Sequence, residues 1–553
     1  MKQQFKKFLV TSLIAAMAVS NVSALACTGA YVGKAVSQDG SIIIARSEDI
    51  SAAYDKLQTV VPASDEPGRM MEDINGFAYP LPDHTYQYTQ MEDYSTAGDG
   101  LYAAVCVNEL GVAITGTVSA SGCTEYKAVD PTVKTGLREA VLPALAAATA
   151  STAREAVKVL TEAVDEYGSA EGNVVLVADQ EEAWILEIYG GKQYAAMRLA
   201  DDQVAVFGNH FMLGAIDPED TESFVVSQGL LSTLEAAGLT VTDDSGKVLA
   251  AQSVCGGQRS AGNNLRNWGG MHILAPSLAG ETFDVDTFYP LLYTPDEKVS
   301  LEDVFEVFRC RYEDTAYDLS LEGQEGNRAI AVSGTPETHV VQIYGDMPAK
   351  YSAVTWLALA GGEHSLFLPQ FSGVSQLPQA LGMDAPTYQA GSAYWAFKRI
   401  CGLADTDRAL YTSGVQSFWK LQEDSLISQM AEAKAQLKTL AETDPAAAEA
   451  YVNTKLEQDM ADALTKSDVL YGELLTLVCR NSGTSASRAK AFQPSVPLRT
   501  VAEAKGYTVT WDDEAKAVIL TKDGASQTVD IAAGDGFLVN GVTYVPFSFV
   551  EEL

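Results

Sequence analysis

Cys27 follows Ala24-Leu25-Ala26, in which small residues occupy the two positions a signal peptidase reads. Removing residues 1–26 would make the Cys27 α-amine a free N-terminus. Such an amine has an unperturbed pKa of about 8, close enough to neutrality to take the proton of the adjacent thiol. One residue then supplies both nucleophile and general base, which predicts a cysteine hydrolase of the N-terminal-nucleophile (Ntn) type with no need of a catalytic histidine. The five histidines include no His-Glu-x-x-His pair, so a zinc-peptidase site lacks its ligands, and no metal or other cofactor is expected. Arg46 and Asp49 lie in Ala45-Arg46-Ser47-Glu48-Asp49. If the strand carrying them returns alongside Cys27, the guanidinium approaches the thiol and favours thiolate, and the Asp49 carboxylate can hold and orient the α-amine. Spacing alone leaves open the alternative of a charged strand end meeting solvent.

These positions depend on a hairpin. Cys27–Lys34 reads as a strand, Ser37-Gln38-Asp39-Gly40 as a turn, and Ser41–Arg46 as a buried returning strand. Tyr102–Val107 and Gly111–Val118 read as strands around an Asn108-Glu109 turn. Ala153–Tyr167 reads as an amphipathic helix: Thr152 and Glu155 form a capping box, Val157, Leu160, Val164 and Tyr167 share one face, and Gly168 ends it. Asn173–Ala178, Ala183–Tyr189, Tyr194–Leu199 and Gln203–Phe207 follow as short strands. Strands, a helical block and further strands make an α+β fold rather than alternating βαβ units. Asp424–Cys479 reads as mostly helical with a break near Asp444-Pro445. The expected organisation is a signal peptide over 1–26, a hydrolase domain over 27–480, a Ser/Ala/Gly/Thr-rich linker over 481–495 and a small β-rich module over 496–553. The module carries a weak repeat, Val496-Pro497-Leu498 and Val545-Pro546-Phe547.

Bulk properties narrow the setting. Lys2, Lys6 and Lys7 precede the apolar stretch Phe8–Val19, which falls short of the roughly 20 apolar residues a bilayer span needs. The chain has 37 Lys+Arg against 73 Asp+Glu, a net charge of −36, and loss of the first 26 residues deepens it. Such a charge disfavours nucleic acid and anionic membrane as partners. The expected location is secreted or at the cell surface. Cys27, Cys106, Cys123, Cys255, Cys310, Cys401 and Cys479 include no Cys-x-x-Cys pair, so a cysteine-based zinc site is unsupported. The odd count predicts at least one free thiol, and the six internal cysteines read as small buried hydrophobes.

Cys27-Thr28, Gly33-Lys34, Asp39-Gly40-Ser41 and Ala45-Arg46 with Asp49 resemble the opening of the dipeptidase A family of cysteine Ntn hydrolases. The likeness continues through Asn108-Glu109-x-Gly111-Val112, Thr152-Ala153-Arg154-Glu155-Ala156, Ala178-Asp179, Glu182-Ala183-Trp184, Glu187 and Asn209. It extends to Arg309-x-x-Tyr312-Glu313-x-Thr315, Tyr317-Asp318, Thr335-x-Glu337 and Trp356-Leu357-Ala358. The resemblance implies the four-layer αββα sandwich of Ntn hydrolases and metal-free hydrolysis of a dipeptide or short peptide through a thioester. The wider superfamily includes bile-salt hydrolases and penicillin V acylase, which also begin with Cys and carry Arg-x-x-Asp, here Arg46 to Asp49. Their later Asn, an oxyanion donor, is best matched by Asn209, which completes an implied catalytic set of Cys27, Arg46, Asp49 and Asn209. Arg266 is a poorer match to a further catalytic Arg of those relatives. Another of their polar oxyanion contributors falls near Val118, so a backbone N–H or a different side chain would have to stand in.

The C-terminal module resembles the copper amine oxidase N-terminal-like domain in its two Val-Pro repeats and Gly506-Tyr507-x-Val509-x-Trp511-Asp512. It has no His, so copper is not implied, and contact with the cell surface is its expected role. Two rivals stand beside the dipeptidase reading. One is an N-acyl amidase of the bile-salt hydrolase or penicillin V acylase type. The other is a non-catalytic, peptide-binding surface lipoprotein, because Ser23-Ala24-Leu25-Ala26-Cys27 partly resembles a lipobox; that motif wants Leu where Ala24 stands.

Overall fold

Strand β1 (Thr28–Val32) turns through Asp39-Gly40 into β2 (Ile42–Glu48), pairing Gly29 with Arg46 and Ala30 with Ala45. Asp39 accepts from the Ser41 backbone at 3.1 Å, and Gly40 takes φ +80°, a left-handed conformation that favours glycine. The computed structural model describes residues 27–553 apart from 52–53, 95–97, 99, 117 and 258; the segment read as a signal peptide lies outside the described residues. The hairpin sits in an antiparallel six-stranded sheet, ordered Val204–Phe207, β1, β2, Glu337–Ile343, Ala353–Leu359 and Leu368–Phe371. All seven residues of β2 are buried, because both faces of this sheet are covered.

One face meets a nine-stranded antiparallel sheet that includes β3 (Lys56–Val61), Tyr88–Asp93, Val105–Asn108, Ala113–Thr115, Gly172–Ala178 and Ala183–Gly190. β2 packs against Ala113–Thr115 and Gly172–Ala178. On the other side of the nine-stranded sheet, Leu142–Thr149 and Ala153–Tyr167 bury Leu145, Val157, Leu160 and Val164 against Val175, Val177, Trp184 and Leu186. On the other side of the six-stranded sheet, Ala261–Leu274 packs on Val204–Phe207, Leu301–Arg309 on Glu337–Ile343, and Ala393–Ala404 on Ala353–Leu359. The architecture is mixed helix and sheet, an α+β fold.

The Ala153–Tyr167 helix starts at Thr152, whose hydroxyl accepts the Glu155 N–H. The expected box is only half formed: the Glu155 carboxylate turns to the Ser151 N–H at 2.8 Å instead of the Thr152 N–H. The C-terminal helical region begins earlier than the expected Asp424, as Arg408–Thr443 followed by Pro445–Asn481, with Asp444 capping the second helix. Arg309, 8% exposed, forks onto the 2%-exposed Glu423 of the first of these helices at 2.7 and 2.9 Å. Glu423→Ala should therefore destabilise the fold by about 3–5 kcal/mol, because a buried guanidinium is left unpaired. Chemical denaturation checks this; a loss below about 1 kcal/mol, the level of an exposed pair, contradicts it.

Phe492 lies within the stretch read as linker, yet it is buried, and its N–H donates to Leu410 O at 2.7 Å. In the module, Thr508–Asp512, Ala517–Lys522 and Ala525–Asp530 form one sheet, while Ser495–Pro497, Val542–Pro546 and Phe537–Val539 form another. The two Val-Pro repeats pair with each other, Val496 opposite Val545, and each runs into a short helix. Six of the seven cysteines are buried and Cys479 is exposed; all seven are unpaired.

Candidate functional site

The hairpin register decides what surrounds Cys27. Residues directly opposite in an antiparallel pair share a face. Arg46 lies opposite Gly29 on one side and His339 on the other, so Cys27, Arg46, Glu48, Glu337 and His339 all look toward the nine-stranded sheet. Arg46 Nη2 reaches Cys27 Sγ at 3.1 Å, with both residues 2% exposed. A Cβ on Gly116 would lie 2.7 Å from Arg46 Nη1, so glycine there lets the guanidinium pass between the sheets.

Burial pushes the Cys27 thiol up to about 11. Arg46 opposes that shift, the Asp49 and Glu48 carboxylates add to it, and the Asp49 backbone N–H on the sulfur works against it. The expected guanidinium is in place, but its pull toward thiolate is outweighed by desolvation. Asp49 is 4% exposed, and its carboxylate accepts from Arg328 Nη2 at 2.6 Å, Thr335 Oγ1 at 2.5 Å and Ser47 Oγ at 3.2 Å.

Asn209 and Arg266 complete the surroundings. Arg266, 1% exposed on the Ala261–Leu274 helix, uses all five of its N–H donors. Nη1 donates to Cys27 O and to Thr28 Oγ1 (3.2 Å), Nη2 to Asn209 Oδ1 (3.0 Å) and Asn263 Oδ1, and Nε to Gly262 O (3.1 Å). Burial first, then Arg328, draws Arg266 down to about 10, so it stays charged at neutral pH. A Cβ on Gly208 would lie 2.6 Å from Arg266 Nη2, so the residue before Asn209 must be small. Asn209 Nδ2 donates one hydrogen to Ser119 O at 2.9 Å, leaving its second for another acceptor. Val118, the position aligned with the missing polar contributor, is buried in the core between the sheets.

The four residues singled out in the sequence thus lie around one point: Arg46 touches the Cys27 sulfur, Asp49 offers it a backbone N–H, and Asn209 is joined to the Cys27 carbonyl through Arg266. Arg328, Thr335, Asn263, Gly208 and Gly116 were not foreseen as neighbours. The usable signal was in the helix: Asn263, Arg266 and Asn267, spaced i, i+3 and i+4, are a polar stripe that a solvent-facing helix shares but that here points inward. Arg328 and Thr335 lie in irregular chain, where no periodicity marks them. Among the described residues no group of three or more His, Cys, Asp or Glu side chains could hold a metal ion, and no helix is long and apolar enough to cross a membrane.

The Cys27 thiol thus accepts from one guanidinium and one backbone N–H, and similarity to known proteins identifies the protein as a hydrolase. The profile described as Peptidase family C69 matches residues 26–421, and that of the copper amine oxidase N-terminal domain matches 489–553. The chain belongs to peptidase family C69 and carries a copper amine oxidase N-terminal domain at its C-terminal end. It is 32% identical over 473 residues to "Probable dipeptidase B" of Streptococcus pyogenes serotype M1, covering 83% of this chain and 94% of that protein. It is 31% identical over 355 residues to "Probable dipeptidase" of Salmonella dublin, covering 63% and 82%. Among solved structures, a mutant of conjugated bile acid hydrolase from Clostridium perfringens is similar at a TM-score of 0.29 and 12% identity, over 60% of this chain and 89% of that one. Agreement that low leaves the site to be read from this chain's own residues.

Proposed function

We propose that the protein is an exported dipeptidase that cleaves dipeptide amide bonds with Cys27 as an N-terminal nucleophile. The contact of Arg46 Nη2 with Cys27 Sγ carries the reading, because it puts a fixed positive charge where a thiolate must form. The α-amine of Cys27 takes the thiol proton and the sulfur adds to the scissile carbonyl. The second Asn209 amide hydrogen and a backbone N–H meet the oxyanion. The ammonium returns its proton to the leaving amine, and water, deprotonated by the same amine, hydrolyses the thioester. Arg266 holds the Cys27 carbonyl and the Asn209 amide in one frame, and Asp49, fixed by Arg328 and Thr335, keeps its backbone N–H on the sulfur. Helices outside both sheets support the four-layer αββα arrangement implied by the family resemblance. Export by a cleaved signal over residues 1–26, and attachment of the C-terminal module to a cell surface, belong to the same proposal.

Processed protein assayed in parallel on dipeptides and on N-acyl amino acids tests the substrate class. Hydrolysis of dipeptides with little or no turnover of N-acyl amino acids is expected; the reverse preference overturns the dipeptidase reading in favour of the acylase. Asn209→Ala should lower kcat by about 10²–10³ through loss of one oxyanion donor, with a smaller change in KM. An unchanged kcat removes Asn209 from the oxyanion site.

A further inference from the structure

Two arginines flank Cys27, and they are held in opposite ways. Arg266 is fixed by five hydrogen bonds. Arg46 makes one, to the sulfur itself, and its Nε and Nη1 find no hydrogen-bond partner among the described residues. What stands beside Arg46 instead is negative charge. Glu48 Oε1 lies 4.0 Å from Nη2, and Glu337 Oε1 lies 4.0 Å from Nη1. Both carboxylates are 0% exposed.

The two carboxylates are not equivalent. Glu48 is committed to Lys56, whose Nζ lies 2.5 Å from Glu48 Oε2 and 2.5 Å from Asp93 Oδ1. Burial pushes Glu48 up to about 7 despite Lys56 and Arg46. Glu337 has His339 two residues along the same strand, with Nδ1 at 2.9 Å from Oε2 and 3.2 Å from Oε1. Burial works against ionisation of Glu337 as well, but His339, Arg46 and Lys56 together hold its carboxyl below the usual carboxylate range. An ionised carboxylate only accepts, so His339 Nδ1 carries the hydrogen. Cross-strand pairing sets His339 opposite Arg46 and Glu337 opposite Glu48, which lines the four up on one face.

We propose that Glu337, oriented by His339, is the positioning residue that holds Arg46 on the Cys27 sulfur. The inference rests on Cys27 being the nucleophile. A thiolate formed in this buried place needs the guanidinium present as the proton passes from Sγ to the α-amine. With only the sulfur as hydrogen-bond partner, Arg46 has little else to fix its position. Glu337 touches neither sulfur nor substrate and acts through Arg46. The charged and titratable groups facing this cluster are Cys27 just before the first strand, Glu48 at the end of the second and Asp49 just after it, Lys56 and Asp93 from the facing sheet, and Tyr102 from the loop beside it.

The test reads thiol reactivity apart from peptide turnover. Processed wild type, Glu337→Gln and Glu337→Asp are treated with iodoacetamide from pH 5 to 10, and Cys27 labelling is followed by peptide mass. Glu337→Gln should move the labelling midpoint up by about one pH unit. Its kcat on a dipeptide should fall about tenfold near neutral pH, the equivalent loss of thiolate, with KM little changed. Glu337→Asp should recover part of both. If Glu337→Gln does not fold, His339→Asn, which keeps the carboxylate but loosens its orientation, is measured in the same way and should shift in the same direction. A labelling profile and kcat that coincide with wild type in the folded variant overturn the positioning role alone. Dipeptide turnover retained by Cys27→Ser overturns the nucleophile reading, and the positioning role with it.

Discussion

Processed Cys27→Ser is expected to lose dipeptide hydrolysis by at least about 10³-fold while keeping its fold. Removing the attacking atom from a site whose members act as a unit costs most of its chemical rate, and what survives comes from binding and the oxyanion donors alone. The serine hydroxyl is a poor substitute in a site built around sulfur, because it is less acidic and less nucleophilic than a thiol and depends wholly on transfer of its proton to the amine within the transition state. The fold should tolerate the change. Sγ is buried but accepts a single hydrogen bond from a side chain, that from Arg46, and a hydroxyl oxygen accepts it as well. The measurement is dipeptide turnover beside a thermal melt. Turnover within about tenfold of wild type, from a variant of unchanged melting temperature, would remove Cys27 from the chemistry. A Cys27→Ser protein that cannot fold would instead point to a structural part for the sulfur; Cys27→Ala, which keeps the small volume, then carries the same comparison.

How much of this was legible in the sequence depends on how far each feature reaches. The β1–β2 hairpin was readable because an Asp-Gly turn and a run of β-branched residues are local signals. The Ala153–Tyr167 helix was readable because its cap, its apolar face and its terminal glycine lie within seventeen residues of one another, Thr152 to Gly168. The hairpin register carried more than its local content, since returning β2 to β1 necessarily brings Arg46 near Cys27. The remainder is tertiary. Lys56, Glu48 and Asp93 form a buried charged trio between the two sheets, and charged residues in a sequence are read as solvated. The early turns of Arg408–Thr443 bury Tyr411, Gly414, Val415, Phe418 and Trp419, an i, i+3, i+4, i+7, i+8 stripe that was legible in the sequence and went unread. Phe492 sits in a stretch whose composition reads as linker, yet the backbone of Leu410 holds it against the hydrolase domain. Arg328 reaches Asp49 across a separation of 279 residues, and nothing local to either predicts it.

The precursor with residues 1–26 still attached should fold but be inactive, whatever its thiol can do. In it the Cys27 nitrogen belongs to a peptide bond, whose lone pair is delocalised into the carbonyl, so it cannot accept the thiol proton. The need for a base is acute, because burial holds the thiol at about 11, and few molecules would ionise unaided at neutral pH. Arg46 stabilises a thiolate but cannot receive a proton, since a guanidinium has no acceptor. His339 is the histidine closest to this cluster in the sheet register, and it is turned to Glu337. On the proposed mechanism the missing base is the α-amine, and freeing it should restore the reaction. A form that begins with Met directly before Cys27, from which an aminopeptidase removes Met, should hydrolyse dipeptides. The uncleaved precursor, confirmed by intact mass, should be slower by about 10²–10⁴-fold, the usual contribution of a positioned general base. A lipoprotein in which Cys27 serves only as an acyl anchor predicts no rescue by this route. An intact precursor as fast as the trimmed enzyme would show that some other group takes the thiol proton, and would leave Cys27 a nucleophile without the N-terminal mechanism.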